Sequence, residues 1–377
     1  MNAFRFIHTS DLHLGRRFAN IPEAVDGNIR GRLMEARHSA IARIAATARE
    51  KGAQHILVAG DTFDSPTPSQ GIIRQALAAM GEDAGAQWWL LPGNHDNLRN
   101  AEPLWEAIQR DAPENVHVLR DAVPVQLSGA ATLLPCPVTY RSTGTDLTEA
   151  LVGMPTEEGA LRLGLAHGGV VDFTESGANV PPDRDRSARL DYLALGDWHG
   201  RMEIGPRVHY SGSPEQDRFK HGRRGTCLSI TIEGSGATPQ VEEIETGTFL
   251  WSEVPLPLLP GQDAAAALEA VLPDSGRRDV LLRILATGRA GLPDHSNLQG
   301  AARRIGPEFA HFELDSRKLG TVYEEVDLDE IDQNGALRLA ANALREETDT
   351  VTLPVEQREI AADALARLYA YVKEAAQ

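Results

Sequence analysis

The sequence predicts an α/β fold in which helices cover the faces of a β-sheet. Three observations carry this prediction. The first 91 residues alternate between short apolar runs and helical patterns, in the order β-α-β-α-β. The apolar runs are continuous rather than alternating, which is typical of strands buried on both faces. The chain has 377 residues and is 42% hydrophobic, which suits one large domain and a smaller one.

The first strands are predicted at residues 4–7, 55–59 and 88–91. Between the first two, apolar residues recur every three or four positions over residues 32–51, which predicts an amphipathic helix ended by Gly52. A second helix is predicted before the third strand, with Ser69 as its N-cap. Because each helix joins two strands, we expect βαβ units and a sheet with helices on its faces.

The rest of the chain predicts shorter strands and a second domain. After a helix near residues 102–110, strands are predicted at residues 116–118, 123–127, 132–134, 161–166, 192–195, 208–210 and 227–232. The Pro-rich segment 254–261 predicts a domain junction. We therefore expect a domain over residues 1–250 and a smaller α/β domain over residues 262–377.

Composition limits the function classes. The net charge of -17 and the pI of about 5.2 argue against a broad surface that grips nucleic acid. Bound divalent ions could still convert a local carboxylate cluster into an anion receptor. Cys136 and Cys227 lack paired spacing, so we expect buried free thiols rather than a disulfide. No apolar run approaches ~20 residues, so we expect no membrane association and a cytoplasmic location.

Five predicted strands end in polar residues that suit metal binding. In chain order these are Asp11 with His13, Asp61, Asn94 with His95, His167, and Asp197 with His199. Oxygen and nitrogen ligands without cysteine suit one or two divalent ions such as Mn, Fe or Zn. One Asp-x-His in a loop is more often a cap or a surface pair. Five successive strand ends of this kind are hard to attribute to chance.

These strand ends resemble the ordered motifs of the calcineurin-like metallophosphoesterases. The motifs are Asp11-Leu12-His13, Gly60-Asp61-Thr62-Phe63-Asp64, Gly93-Asn94-His95-Asp96, His167-Gly168 and Gly196-Asp197-Trp198-His199. Within that superfamily, the segments 7–15 and 210–214 are similar to the DNA-repair exonuclease branch, the SbcD-type nuclease subunits. The resemblance covers residues 4 to about 215. It implies a four-layer α/β/β/α sandwich, a β-sandwich flanked by helices, followed by a small C-terminal α/β cap domain.

The resemblance also implies a role for each motif residue. The first metal would be held by Asp11, His13 and His199, the second by Asn94, His167 and Asp197, and Asp61 would bridge them. The cofactors would be two divalent metal ions, with Mn as the first candidate and Mg, Fe or Zn as alternatives. His95 would stabilise the transition state or protonate the leaving group, with the Asp64 carboxylate orienting its ring. Asp96 would cap the loop.

One motif departs from the family pattern, because Asp197 stands where the family has histidine. A carboxylate adds negative charge to the second site and favours harder ions, so Mn or Mg gains over Zn. In the alternative, Asp197 turns away and the second metal is weakly held or absent.

Three functions follow as hypotheses. The first is a DNA exonuclease or endonuclease that works with a coiled-coil ATPase of the structural-maintenance (SMC) type, with a homodimer as a further expectation. The second is a phosphodiesterase acting on a nucleotide or another small phosphodiester, which suits the acidic charge better. The third is a catalytically weak scaffold that binds a partner. The candidates for contacting substrate phosphates are Arg16, Arg17, Lys220 and Arg223, although loop arginines are more often solvated.

Overall fold

The structure is a computed structural model that describes residues 3–23, 27–128, 131–141, 144–170, 180–322, 331–332 and 335–375. The chain divides into two compact units. The first unit is formed by Met1–Asp217 and Arg223–Leu250, and the second by Arg218–Gly222 and Trp251–Gln377. No described helix is both long and apolar enough to cross a membrane.

The first unit contains twelve of the described strands and five of the described α-helices. The strands are β1 Phe4–Thr9, β2 His55–Val58, β3 Gln87–Leu90, β4 Val116–Val118, β5 Val125–Ser128, β6 Ala131–Cys136, β7 Leu161–His167, β8 Tyr192–Gly196, β9 Met202–Gly205, β10 Val208–Tyr210, β11 Thr226–Ile232 and β12 Gln240–Glu245. The helices are α1 Ile29–Lys51, α2 Gln70–Gly81, α3 Glu102–Asp111, α4 Ala150–Gly153 and α5 Arg184–Ser187.

Two six-stranded sheets form the first unit. One has the order β12-β11-β1-β2-β3-β4, and β1 to β4 run parallel to one another. The other has the order β5-β6-β7-β8-β10-β9, with β6, β7, β8 and β10 parallel. Parallel strands place their carboxyl ends at one edge of each sheet, which is where ligands bind in open α/β sheets.

The core explains why the apolar runs are continuous. Successive residues of β2 and β3 point to opposite sides of the sheet: Ile56 and Trp88 pack in the core with the helices, and Leu57 and Trp89 pack against residues of the second sheet. A third cluster, which contains Leu193 and other residues of the second sheet, covers the outer face of that sheet. These layers confirm the predicted α/β sandwich flanked by helices.

Local signals set the helix ends. The Ser69 hydroxyl accepts the backbone N–H of Ile72 at the start of α2, as predicted. Gly52 ends α1 in the left-handed conformation at φ 64°, which costs glycine little. Helix α1 begins at Ile29, three residues earlier than the sequence pattern predicts. Both cysteines are free and buried, as expected.

The second unit contains a three-stranded sheet and four described α-helices. Its elements are β13 Leu250–Leu258, α6 Ala264–Ala270, β14 Val280–Gly291, α7 Leu292–Ile305, β15 His311–Val322, α8 Ala336–Asp349 and α9 Val355–Ala375. The strand order is β13-β14-β15, and β14 and β15 run parallel with α7 between them in sequence.

The Pro-rich segment 254–261, predicted to be a domain junction, lies partly in regular structure, because residues 254–258 are within β13. Strand β13 is at the edge of its sheet, where a residue without a backbone N–H is tolerated. Pro255 and Pro257 are two positions apart, so both nitrogens face the same edge of the strand. An edge strand can therefore carry both prolines without losing a hydrogen bond within the sheet.

Candidate metal centre

The structure brings the predicted strand ends of the two sheets together. Three groups of side chains have ligand atoms within 4.8 Å of one another, which is close enough to hold a metal ion. They are Asp11, His13 and His199; Asp11, Asp61 and His167; and His13, Asp64 and His95.

The first group is organised around two histidines. Nε2 of His13 lies 3.2 Å from Nε2 of His199, and Oδ1 of Asp11 lies 3.9 Å and 3.8 Å from these two atoms. The Nδ1 atoms face carboxylates: that of His13 lies 3.1 Å from Asp64 Oδ1, and that of His199 lies 3.2 Å from Asp217 Oδ1. Since a carboxylate accepts a hydrogen bond, each Nδ1 carries the proton and each Nε2 presents a lone pair. Two lone pairs and a carboxylate oxygen that face one point suit a cation there.

The second group is organised around His167. Its Nδ1 donates to the backbone carbonyl of Ala59 at 2.8 Å. Its Nε2 lies 3.2 Å from Asn94 Oδ1 and 3.6 Å from Asp61 Oδ2. The same Asp61 oxygen lies 3.5 Å from Nε2 of His13. Asp61 therefore stands between the two groups, where one carboxylate could serve two ions.

The electrostatics of the second group favour a positive charge beside Asp61, at the position of His167. Burial raises the pKa of Asp61 well above its usual range. Burial lowers the pKa of His167, but the carboxylates of Asp61 and Asp11 outweigh it and raise that pKa to about 9. A buried imidazole gains such a pKa only where its surroundings stabilise a cation. The acceptor atoms that would attract this proton are also the atoms that divalent metals use as ligands.

Burial lowers the pKa of His13 well below its usual range, so this imidazole is neutral near pH 7. A neutral imidazole is the form of histidine that binds metal. The donor set of both groups fits divalent metal ions.

The backbone around these side chains is strained in a consistent way. Four of the predicted metal ligands adopt positive φ, a region that residues other than glycine rarely occupy. They are Asp11 at 55°, His13 at 43°, Asp61 at 54° and Asp197 at 97°. Such conformations persist where the surrounding fold enforces them, and they concentrate at functional sites.

Two glycines allow the close approach of the strand ends. A Cβ atom at Gly93 would overlap the carboxylate and the backbone nitrogen of Asp61. A Cβ atom at Gly196 would overlap the Ala59 carbonyl and crowd the ring of His167. The glycines of the Gly-Asn-His-Asp and Gly-Asp-Trp-His motifs are therefore needed for packing.

Asp197 lies beside the second group but belongs to none of the three. Its Oδ1 is 3.9 Å from Nε2 of His167, and its backbone N–H donates to both carboxylate oxygens of Asp11 at 3.3 Å. Its Oδ2 is buried and has no hydrogen-bond partner among the described residues. A buried carboxylate oxygen of this kind fits a cation nearby, because it is costly to leave unpaired.

The predicted contact between the Asp64 carboxylate and His95 is wrong. Nδ1 of His95 faces the backbone carbonyl of Asp64 at 2.9 Å, while the Asp64 carboxylate faces Nδ1 of His13. Asp64 thus contacts both rings, with different atoms. Its side chain turns toward His13 and Arg16, because the guanidinium of Arg16 lies 3.3 Å away.

Asp96 holds the loop, as predicted. Its carboxylate accepts the backbone N–H of Gly93 at 2.7 Å and that of Phe63 at 3.0 Å. It thereby ties the loop after β3 to the loop after β2.

Sequence reasoning missed two residues that hold the centre together. Asp217 is fully buried beside His199, and no motif marks it. Burial opposes its ionisation, but His199, Arg37 and Arg16 hold the pKa of Asp217 well below its usual range. Arg37 did leave a signal, because it interrupts the apolar stripe of α1 with a charge on its buried face.

The predicted phosphate-binding residues differ in their surroundings. Arg16 pairs with Asp64 and Asp217, each at 3.3 Å. Arg17 is exposed, and Arg223 pairs with Glu243. Lys220 belongs to the second unit, in the short 3₁₀ turn Phe219–His221.

The comparison with protein families agrees with the presence of these motifs. Residues 4–179 match the family model described as calcineurin-like phosphoesterase. No protein with a curated description matches the chain. Similar solved structures include TT1561 of Thermus thermophilus, which is 11% identical with a TM-score of 0.40, over 65% of this chain and 99% of that one. Another crystal structure is 13% identical with a TM-score of 0.38, over 64% of this chain and 99% of its own. On the family match, residues 4–179 belong to the calcineurin-like phosphoesterases.

Proposed function

We propose that this chain hydrolyses DNA phosphodiester bonds with the help of two divalent metal ions, of which Mn is the first candidate. The observation that carries the proposal is the position of Asp61. One of its carboxylate oxygens lies 3.5 Å from Nε2 of His13 and 3.6 Å from Nε2 of His167. A carboxylate between two sets of ligands can hold two ions close together, and two neighbouring ions are the arrangement used in two-metal phosphoester hydrolysis.

In this proposal the first ion is held by Asp11, His13 and His199, the second by Asn94, His167 and Asp197, and Asp61 serves both. Divalent cations at such a site stabilise charge on the phosphoryl oxygens and acidify water. The buried carboxylates and the carboxylate-bound imidazoles hold the ligand atoms in place, so the chain spends little free energy on ordering them during the reaction.

His95 is the general acid of the proposal. Its Nδ1 donates to the Asp64 carbonyl, which fixes the ring and leaves Nε2 available for proton transfer. The ring centroid lies 4.7 Å from that of His13, at the edge of the first group. From there the imidazolium Nε2–H can donate its proton to the leaving oxygen of the phosphodiester.

The choice of DNA rests on the similarity of segments 7–15 and 210–214 to the SbcD-type nuclease subunits. The segment 210–214 contacts the loop that carries a candidate metal ligand, because the Ser213 hydroxyl donates to the backbone carbonyl of Asp11 at 2.8 Å. The partners that follow from this choice are DNA and a coiled-coil ATPase subunit of the SMC type, with a homodimer as a further proposal.

A small phosphodiester or nucleotide is the second candidate substrate. The net charge of -17 favours it, and so does the pairing of Arg16 and Arg223 with carboxylates of the chain. Guanidinium groups that neutralise the protein's own carboxylates contribute less to holding a DNA backbone.

One assay separates these functions. Hydrolysis of linear duplex DNA, single-stranded DNA and a chromogenic phosphodiester is measured with added Mn²⁺, for the wild type and for His95→Ala. We expect the wild type to cleave DNA and the variant to cleave it much more slowly. Cleavage of the chromogenic substrate alone would favour the second candidate. No cleavage of any substrate would favour a partner-binding scaffold.

A further inference from the structure

Two carboxylates contact the two histidines of the first metal group at Nδ1, the ring nitrogen opposite the candidate metal site. The Asp64 carboxylate faces Nδ1 of His13 at 3.1 Å, and the Asp217 carboxylate faces Nδ1 of His199 at 3.1 Å and 3.2 Å. We propose that Asp217 is a positioning residue for the metal ligand His199, and that Arg16 joins Asp217 to Asp64 so that both imidazoles are held as a pair. This inference rests on the metal centre of the proposed function.

The contacts of Arg16 form the link. Its Nη1 atom lies 3.3 Å from Asp64 Oδ1 and 3.3 Å from Asp217 Oδ2. A single guanidinium nitrogen therefore contacts the carboxylates behind both histidines. On the metal-facing side of the two rings, the Nε2 atoms of His13 and His199 lie 3.2 Å apart. Arg16, the two carboxylates and the two imidazoles therefore form a closed ring of contacts.

The burial of Asp217 shows that its place is built into the fold. Its side chain is 0% exposed, and a buried carboxylate is costly unless it is paired. Arg37, whose side chain is 1% exposed, lies 3.4 Å from Asp217 Oδ2. Another nitrogen of Arg37 donates to the backbone carbonyl of Leu12 at 2.6 Å. The Arg37 guanidinium thus stabilises Asp217 and also fixes the loop that carries Asp11 and His13.

The carboxylate charge has a direct effect on the ligand. A hydrogen bond from Nδ1 to a carboxylate fixes the tautomer in which Nε2 is free to bind metal, and it makes Nε2 more basic. An asparagine amide keeps the size of the side chain but accepts a weaker bond, because charge-assisted bonds are about twice as strong as neutral ones. Loss of such an outer partner typically weakens metal binding by roughly 10–100-fold.

The test uses Co²⁺ alone, added to the full-length metal-free protein and followed by calorimetry and by visible absorption. The variant is Asp217→Asn. The matched control is Asp191→Asn, because Asp191 is also a buried carboxylate of the first unit and accepts the backbone N–H groups of Arg162 and Gly236. We expect Asp217→Asn to bind one Co²⁺ roughly 10–100-fold more weakly, with a changed absorption spectrum. The control should bind Co²⁺ as the wild type does.

A second variant keeps the inference testable if Asp217→Asn does not fold. Arg16→Gln alters a side chain that is 26% exposed, so we expect it to fold. Removing Arg16 should change the Co²⁺ spectrum, which reports the geometry of the metal ligands. If Arg16 instead contacts substrate phosphate, the spectrum would stay the same and KM would rise.

Wild-type Co²⁺ binding in Asp217→Asn, or an equal loss in Asp191→Asn, would overturn the positioning role. An unchanged spectrum in Arg16→Gln would overturn the link between the two carboxylates. A wild-type protein that binds no Co²⁺ would overturn the proposed metal centre itself, and this inference with it.

Discussion

The Nε2 atoms of His13 and His199 lie 3.2 Å apart, while the Nδ1 atom of each ring faces a carboxylate. With the proton of each ring on Nδ1, the two Nε2 lone pairs face each other and repel. A cation between them turns the repulsion into attraction. We therefore expect the first group to be most stable with a cation bound.

Replacing His95 with alanine separates catalysis from metal binding. If His95 is the general acid, His95→Ala should lower kcat by roughly 10²–10⁴-fold, which is the usual contribution of a positioned acid or base. The number of Mn²⁺ ions bound per chain, measured by calorimetry, should stay the same. Loss of one bound ion would instead make His95 a metal ligand, as its place in the third side-chain group allows.

Replacing Asp197 with histidine should change the metal preference of the second site. Oδ1 of Asp197 lies 3.9 Å from Nε2 of His167, so a ligand of different chemistry at this position acts on the same ion. Imidazole suits Zn²⁺ better than a carboxylate does, and a carboxylate suits Mn²⁺. Competition between Zn²⁺ and Mn²⁺ should therefore shift toward Zn²⁺ in Asp197→His. An unchanged competition, with unchanged turnover, would count against a ligand role for Asp197.

Replacing Gly93 with alanine should destabilise the fold and weaken metal binding. The added Cβ would overlap the backbone and carboxylate of Asp61, neither of which can move without displacing the site. Overpacking of this kind costs about 1–3 kcal/mol in the free energy of unfolding, measured by urea denaturation. Gly153→Ala is the control, because a Cβ there meets nothing within 4 Å. Equal stability of the two variants would contradict the close approach.

His8 should make stability depend on pH. Its Nδ1 lies 3.0 Å from the Tyr192 hydroxyl and its Nε2 lies 3.2 Å from the Leu195 carbonyl, which suits a neutral ring. Burial is the main cause that lowers the pKa of His8 from 6.5 to about 3. Between these values the unfolded chain binds more protons, so acidification favours unfolding.

From pH 7 to pH 5, this one group should remove about 2 kcal/mol from the free energy of unfolding. His8→Gln cannot titrate, so its free energy of unfolding should fall by that much less than the wild type over the same range. Comparing the two by urea denaturation of the metal-free proteins cancels the contributions of other groups. Parallel pH dependence would show that His8 is not held neutral.

The sequence predicted the sandwich because strands buried on both faces leave a strong pattern. Neighbouring residues such as Ile56 and Leu57 point to opposite faces of the sheet, and both faces are buried, so the apolar runs are continuous. The strand β13 escaped prediction, because an edge position tolerates Pro255 and Pro257. A sequence pattern shows the two prolines but not which strand lies at the edge.

The metal-facing residues were predictable because each follows a strand end, and parallel strands bring those ends together. The residues that contact the metal ligands from the side away from the metal site could not be predicted from the sequence. Asp217 lies 18 positions after His199 in a loop without periodicity, and only the fold brings the two side chains into contact. Arg16 looked like a residue for substrate phosphates because a pattern cannot show that Asp64 and Asp217 surround it.

The shared metal centre is tested most directly by a calorimetric titration of the metal-free protein with Mn²⁺, for the wild type, Asp61→Asn and the control Asp191→Asn. Because Asp61 stands between both groups, we predict two Mn²⁺ ions per wild-type chain, weaker binding of both in Asp61→Asn, and wild-type binding in the control. Mn²⁺ binding in Asp61→Asn that equals that of the wild type, or no binding by the wild type, would contradict a shared two-metal centre.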